Sequence, residues 1–352
     1  MQLTITPFTV HKRVALTISR GTTAHSTNLW VQLEADGITG WGEASAFTIG
    51  TQTQSAAQLR QELTALAPTL ESFHPLERQR LEAVLTPLSS AARAAIDTAL
   101  YDWLGQRVGL PLWQLWGLDR EKIGPTAVTI GISSPEQACD RLLQWQAQLP
   151  GLRSVKVKLG NAAGIQADQA MMTALLSHLP ATLKVSVDAN GGWDLATALV
   201  MADWLAERGV AYIEQPLPVA LDHELSTLSA RSPLPIFVDE SCFDTRDIIR
   251  LAGQVQGINI KLMKAGGLTE ARRMIHTARA CGLQVMFGCY SDTALANTAL
   301  AHLAPLADHL DLDSHLNLVD DPFQGATMQA GRLLPNDAPG LGLTRHELPC
   351  RQ

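Results

Sequence analysis

An α/β fold, a (β/α)8-type TIM barrel with an α+β N-terminal capping domain, is predicted by three observations. The chain has 352 residues, enough for a barrel of about 250 residues and an accessory domain. From about residue 125 onward, short β-branched runs alternate eight times with amphipathic helical stretches, the pattern of parallel strands joined by crossover helices. Before that point the strand-like and helix-like segments are segregated, which describes an α+β unit.

In order along the chain, residues 1 to 50 alternate apolar and polar. Leu3, Ile5, Leu29, Val31 and Leu33 fit period two, and Asp36-Gly37 supplies a hairpin turn. Residues 55 to 118 read as helical. The stretch Ala91-Ala92-Arg93-Ala94-Ala95-Ile96 combines strong helix formers with small residues that allow close packing, and Gly109-Leu110-Pro111 stops it. Strands are then expected at 126–131, 155–159, 183–188, 210–214, 234–239, 257–261, 283–288 and 308–313, with helices between them, for example at 194–208 and 268–281. The resulting division is a cap at 1–122, a barrel at 123–325 and a Gly- and Pro-containing segment at 326–352 that packs back on the cap. An open doubly wound sheet is the competing layout, but no GxGxxG follows any strand, so a dinucleotide fold has no support.

The composition narrows the class. Hydrophobic residues make up 46% and charged residues 17% of the chain, so a large core can form and disorder is not expected. A net charge of −7 without Lys or Arg runs argues against nucleic acid as a partner. Cys139, Cys242, Cys281, Cys289 and Cys350 are dispersed without CxxC spacing, which suggests reduced thiols in a cytoplasmic protein. No signal peptide and no membrane span are expected, because no basic n-region or long apolar run is present.

The chemistry is suggested by charges at the ends of apolar strands. Val185-Ser186-Val187 ends in Asp188, Ala211-Tyr212-Ile213 in Glu214, and Ile236-Phe237-Val238 in Asp239. Three successive parallel strands thus carry a carboxylate at one end, and in a barrel that end is the active-site face. Carboxylates so close together repel one another, and an all-oxygen set with room for water or substrate favours Mg²⁺. The alternative is that each merely caps the helix that follows. Two other strands end in lysine, at Lys156 and Lys158 and at Lys261. An adjacent ammonium and a divalent cation would disfavour a charged Lys158, as a general base requires. A structural salt-bridge network is the alternative. Strands two and six stand nearly opposite in an eight-stranded ring, so a metal-bound substrate would have Lys158 on one face and Lys261 on the other. One lysine removes an α-proton, the other returns one, and Lys156 with the metal holds the enediolate charge.

These residues resemble the muconate-lactonising subgroup of the enolase superfamily. The matching pieces are Lys156-Val157-Lys158, Asp188-Ala189-Asn190, Ile213-Glu214-Gln215-Pro216, Asp239-Glu240-Ser241, Lys261-Leu262-Met263-Lys264-Ala265-Gly266-Gly267 and, in the cap, Gly40-Trp41-Gly42-Glu43. The resemblance implies a Mg²⁺-dependent isomerase with Lys158 and Lys261 as bases, Lys264 supporting the loop, and a homo-oligomer as one arrangement seen among relatives. Within the subgroup, Asp311-Leu312-Asp313 looks like the Asp-x-Asp pair of the dipeptide epimerases, which receives the substrate ammonium; a structural turn is the other reading. Strand seven ends Gly288-Cys289-Tyr290-Ser291, where relatives often have Gly-Ser, so Cys289 and Ser291 are taken as substrate contacts. Arg20 occupies the loop that in relatives acting on Ala-Glu pairs with the Glu side chain, or it is a solvated surface residue. The second cap loop, 47–53, departs from acidic or Tyr-rich versions, and Phe47 and Ile49 could form an apolar lid. The resemblance implies epimerisation of a dipeptide, Ala-Glu being one type. N-succinylamino-acid racemisation, o-succinylbenzoate synthesis and cycloisomerisation are the alternatives within the subgroup.

Overall fold

The structure, a computed structural model, describes residues 1–50, 52–180 and 182–346. Thr51, Ala181 and 347–352, and with them Cys350 and the end of the C-terminal segment, lie outside the described residues. The N-terminal half of the cap is a three-stranded antiparallel sheet of Gln2–Ile18, Gly21–Ala35 and Ile38–Ser45. Asp36 and Gly37 both have positive φ, 51° and 72°, so the hairpin turns through two left-handed residues whose twist matches the flanking strands. The sheet packs on the helix Ser90–Val108. Gly40 and Gly42 permit that contact, since a Cβ at either would strike the backbone carbonyls of Ala99 and Ala95. The helix stops where Gly109 turns left-handed (φ 74°). A second small hairpin, Phe47–Ile49 with Gln52–Gln54, was not foreseen. Each of its strands has three residues, and one is entirely polar, so no hydrophobic period marks it.

The second unit has eight parallel strands in chain order: Val128–Ile130, Ser154–Lys158, Lys184–Asp188, Ile213–Glu214, Ile236–Val238, Gly257–Lys261, Gln284–Gly288 and His309–Leu310. The eighth meets the first through a parallel bridge between Thr126 and Leu310, and Ala127 N–H donates to the Leu310 carbonyl at 2.8 Å. The sheet therefore closes as a TIM barrel. Helices follow the strands, as at Leu195–Ala206 and Leu268–Ala280. Strands five and eight end before the runs that announced them, so Asp239, Asp311 and Asp313 lie in buried segments just past the strand ends, whereas Asp188 and Glu214 are the last residues of their strands.

Two contacts position the cap on the barrel, and a third ties the C-terminal segment to the cap. Asp97 accepts from Arg78 at 2.6 Å and from Thr269 N–H at 2.8 Å. Glu43 accepts from Asn28 (2.9 Å) and Ser45 (3.1 Å) in the cap and from the Thr293 hydroxyl and N–H at the helix after strand seven. The described part of the C-terminal segment returns to the cap: Gly340 N–H donates to Leu110 at 3.0 Å, and Leu341 N–H to Asp102 at 2.7 Å. No helix among the described residues is long and apolar enough to cross a membrane.

Candidate active site

Parallel registration brings the charged strand ends to one rim. Lys158 pairs with Asp188 across strands two and three, and Asp188 with Glu214 across strands three and four. Asp239 follows strand five immediately, and its N–H donates at 2.8 Å to the side chain of Gln215, the residue after Glu214. Asn190 and Gln215 both have positive φ, 45° and 35°. This strained backbone beside the carboxylates is typical of functional strand ends.

Each of the three strand-end carboxylates has a lysine partner. Lys158 Nζ donates to Asp188 at 2.6 Å, Lys156 Nζ to Glu214 at 3.1 Å, and Lys261 Nζ lies 2.7 Å from Asp239. Lys156 is also in close ion contact with Asp311. Burial alone would discharge Lys156 and Lys261. The charges of Asp311 and Glu214 outweigh it for Lys156, and those of Asp239 and Glu214 for Lys261, so both lie above the ordinary lysine range. Against its own burial, Asp239 is held far below the carboxylate range by Lys261 and Lys264. Glu214 goes the other way: burial and the charge of Asp188 push it up to about 7, although Lys156 opposes them.

Among the described residues no three His, Cys, Asp or Glu side chains are gathered tightly enough to enclose an ion as they stand. The donor set nevertheless fits a hard divalent cation. Asp188, Glu214 and Asp239 offer only oxygen, are at most 1% exposed, and raise one another's proton affinity, a conflict that a cation removes.

A cavity of about 70 Å³ opens beside Lys158 and is walled by Thr129, Arg141, Cys289, Tyr290, Asp311 and Asp313, with Lys12 and Leu16 of the cap above. The two aspartates lie past the end of strand eight, since that strand stops at Leu310. Their convergence is set by hydrogen bonds and not by pleat alternation. Asp313 accepts from Thr129 N–H at 2.6 Å, and the Thr129 hydroxyl lies 3.3 Å from both carboxylates. Burial and the charge of Asp311 push Asp313 up to about 6. Cys289 lines the cavity, and its Sγ donates to the Asp311 carbonyl at 3.2 Å. Burial raises this thiol to about 12, so it is no nucleophile. Ser291 is not part of the cavity wall; it accepts from Lys12 at 2.9 Å. Arg20 is paired with Glu240 at 2.6 Å and donates to the Asn190 carbonyl at 2.9 Å. It lines a separate open pocket of about 600 Å³ with Ile49, Leu217 and Val219. A cleft of about 580 Å³ between the cap helices and the barrel contains none of these residues.

Lys264 lies under the loop: its Nζ reaches Asp239 Oδ1 at 2.5 Å and the carbonyls of Cys242 at 2.9 Å and Asn259 at 3.1 Å. Sequence reasoning missed Lys12, Thr129, Glu240 and Asn259. Asn259, which donates to Glu214 at 2.7 Å, stands two residues before Lys261, and that spacing was a legible signal. Lys12 and Thr129 had none, since both reach the site from distant chain segments.

With this geometry in view, comparison with known proteins is informative. Residues 2–117 match the mandelate racemase/muconate lactonizing enzyme N-terminal domain, and residues 139–347 the enolase C-terminal domain-like family. The chain belongs to the enolase superfamily. Within this superfamily it is 43% identical to a hydrophobic dipeptide epimerase of a Flavobacteria bacterium, over 97% of each chain. It is 35% identical to the L-Ala-D/L-Glu epimerase of Bacteroides thetaiotaomicron, over 98% of this chain and 88% of that one. Among solved structures it resembles a dipeptide epimerase from Enterococcus faecalis complexed with Mg and the dipeptide L-Leu-L-Tyr. The TM-score is 0.89 and the identity 29%, over 98% of this chain and 99% of that one.

Proposed function

We propose that this enolase-superfamily chain is a Mg²⁺-dependent dipeptide epimerase that inverts the α-carbon of the C-terminal residue by two-base proton transfer. The observation that carries the reading is a pair of lysines four strands apart in the ring: Lys158 lines the cavity that also holds Asp311 and Asp313, and Lys261 lies against Tyr290 of that cavity's wall. Asp188, Glu214 and Asp239 would hold the cation, which when bound supplies a Lewis acid for the substrate carboxylate. For one epimer the neutral lysine on its face removes the α-proton while the other lysine, as an ammonium, gives its own proton to the opposite face, and Lys158 and Lys261 exchange these roles for the other epimer. Lys156 faces the carboxylate as negative charge moves onto it. Asp313 receives the free α-ammonium, because Asp311 is already compensated by Lys156.

The side chain of the inverted residue is the point on which the related enzymes differ. Arg20 is neutralised by Glu240 and lies among Ile49, Leu217, Pro218 and Val219. An acidic side chain would have to displace Glu240, whereas an apolar one would not. We therefore assign a preference for an apolar C-terminal residue over Glu. The test is a panel of L-Ala-L-Xaa dipeptides incubated with enzyme and Mg²⁺ in deuterated water, with α-proton loss followed by NMR. Exchange should be faster with Leu or Tyr than with Glu at the second position. Preference for Glu would return Arg20 to the role of carboxylate partner, and exchange only on N-succinylated amino acids would overturn the dipeptide assignment.

A further inference from the structure

The two lysines have different surroundings. Lys158 is held by Asp188 at 2.6 Å, and no aromatic ring among the described residues covers it. The Lys261 ammonium lies 4.5 Å from the centroid of the Tyr290 ring. Tyr290 is stacked on Phe47, with centroids 4.7 Å apart and planes within 2°. Phe47 begins the small cap hairpin and is buried, with Phe243 of the barrel 6.5 Å away. The backbone around Tyr290 is fixed from two sides. Its N–H donates to Asp292 at 3.1 Å, and the next carbonyl, that of Ser291, accepts from Asn28 of the cap at 2.9 Å. The Tyr290 hydroxyl is buried with no hydrogen-bond partner among the described residues. Packing of the ring and not a bond to its oxygen therefore holds it in place.

We infer that the Phe47–Tyr290 stack is a positioning element for Lys261 alone, through which the cap hairpin supports one of the two proton transfers. The inference rests on the two-base reading above. A lysine carries its amine on four rotatable bonds and must bring it within about 3 Å of the α-proton. The ion contact of Lys261 is not a dedicated anchor, because Asp239 is shared with Lys264 and belongs to the proposed cation set. The face of Tyr290 is the remaining fixed contact, and it favours the ammonium by its quadrupole. No aromatic ring among the described residues supports Lys158 in this way. Tyr290 also walls the cavity beside Lys158, so loss of the ring should weaken exchange through Lys261 much more than exchange through Lys158.

The experiment compares α-proton exchange of L-Leu-L-Tyr and L-Leu-D-Tyr in deuterated water with Mg²⁺ present. Lys158→Met and Lys261→Met first establish which epimer each base serves. Tyr290→Leu and Phe47→Ala should then lower exchange through Lys261 by about ten- to a hundredfold relative to exchange through Lys158. The double variant should lose little more than either single one, because both act through the same contact. Tyr290→Phe, which keeps the ring, should keep the ratio of the two rates. Independently of turnover, an amine-reactive label read by mass spectrometry should reach Lys261 faster in chelator-treated Tyr290→Leu than in the parent, with Lys158 unchanged. Equal loss on both faces, or on neither, in a parent that exchanges both epimers overturns the inference alone. If Lys261→Met leaves both exchanges intact, the two-base reading fails and the inference with it.

Discussion

Acetylating the substrate's amino group removes the positive charge that Asp313 is placed to receive. Asp313 is 5% exposed and accepts hydrogen bonds from Thr129 and, at 4.0 Å, from the Cys289 thiol. Asp311 is compensated by Lys156, and nearby Arg141 is engaged by Asn317 at 2.8 Å. Above its raised pKa of about 6, Asp313 is thus a buried carboxylate with no direct ion partner among the described residues. Close charge pairs in desolvated sites couple by about 1.5–7 kcal/mol. The low end applies here, because Lys156, Lys12 and Arg141 already bear on this carboxylate from a distance. About 2 kcal/mol corresponds to roughly thirtyfold in kcat/KM. The assay compares kcat/KM for a free dipeptide and its N-acetyl derivative at pH 8. Asp313→Asn should lose a similar factor on the free dipeptide and much less on the acetylated one. Protonation of a carboxyl removes its attraction for a cation, so kcat/KM of the parent on free dipeptide should fall as pH drops below about 6. The Asn variant should lack that limb. Equal turnover of free and acetylated substrate by the parent would refute the reasoning.

Three further outcomes follow from the same contacts. Asp239→Asn should abolish α-proton exchange even with excess Mg²⁺. It should also lower the melting temperature, because Lys261 and Lys264 both lose a buried counter-charge; full exchange by this variant in chelator-treated buffer excludes the proposed cation site. Lys158→Met and Lys261→Met should each stop net epimerisation while leaving exchange of one epimer through the surviving lysine, as measured by NMR in deuterated water. Epimerisation at the parent rate in Lys261→Met would shift attention to Lys264. Asp102→Ala should destabilise the fold by about 3 kcal/mol in thermal or urea unfolding, because it strands the N–H groups of Trp41 and Leu341. An unchanged midpoint would mean that water replaces the carboxylate there.

The amino-acid sequence by itself determined the barrel and the rim of charge. Apolar strands ending in Asp188, Glu214, Asp239, Lys158 and Lys261 are a local pattern, and parallel strands of a closed ring must present such ends on one face. The motif order also carried the superfamily, which the domain matches bear out. Partnership between distant segments was decided only by tertiary structure. Arg20 is spent on Glu240, Ser291 on Lys12, and Asp311 on Lys156. No spacing rule could announce these pairs, since each joins residues on different elements: the first two depend on how the cap seats on the barrel, and the third on closure of the ring. The convergence of Asp311 and Asp313 likewise comes from Thr129 on strand one, a neighbour only because the ring closes. A buried charge takes the nearest opposite charge or donor that packing brings to it, so its partner is a property of the fold and not of the sequence around it.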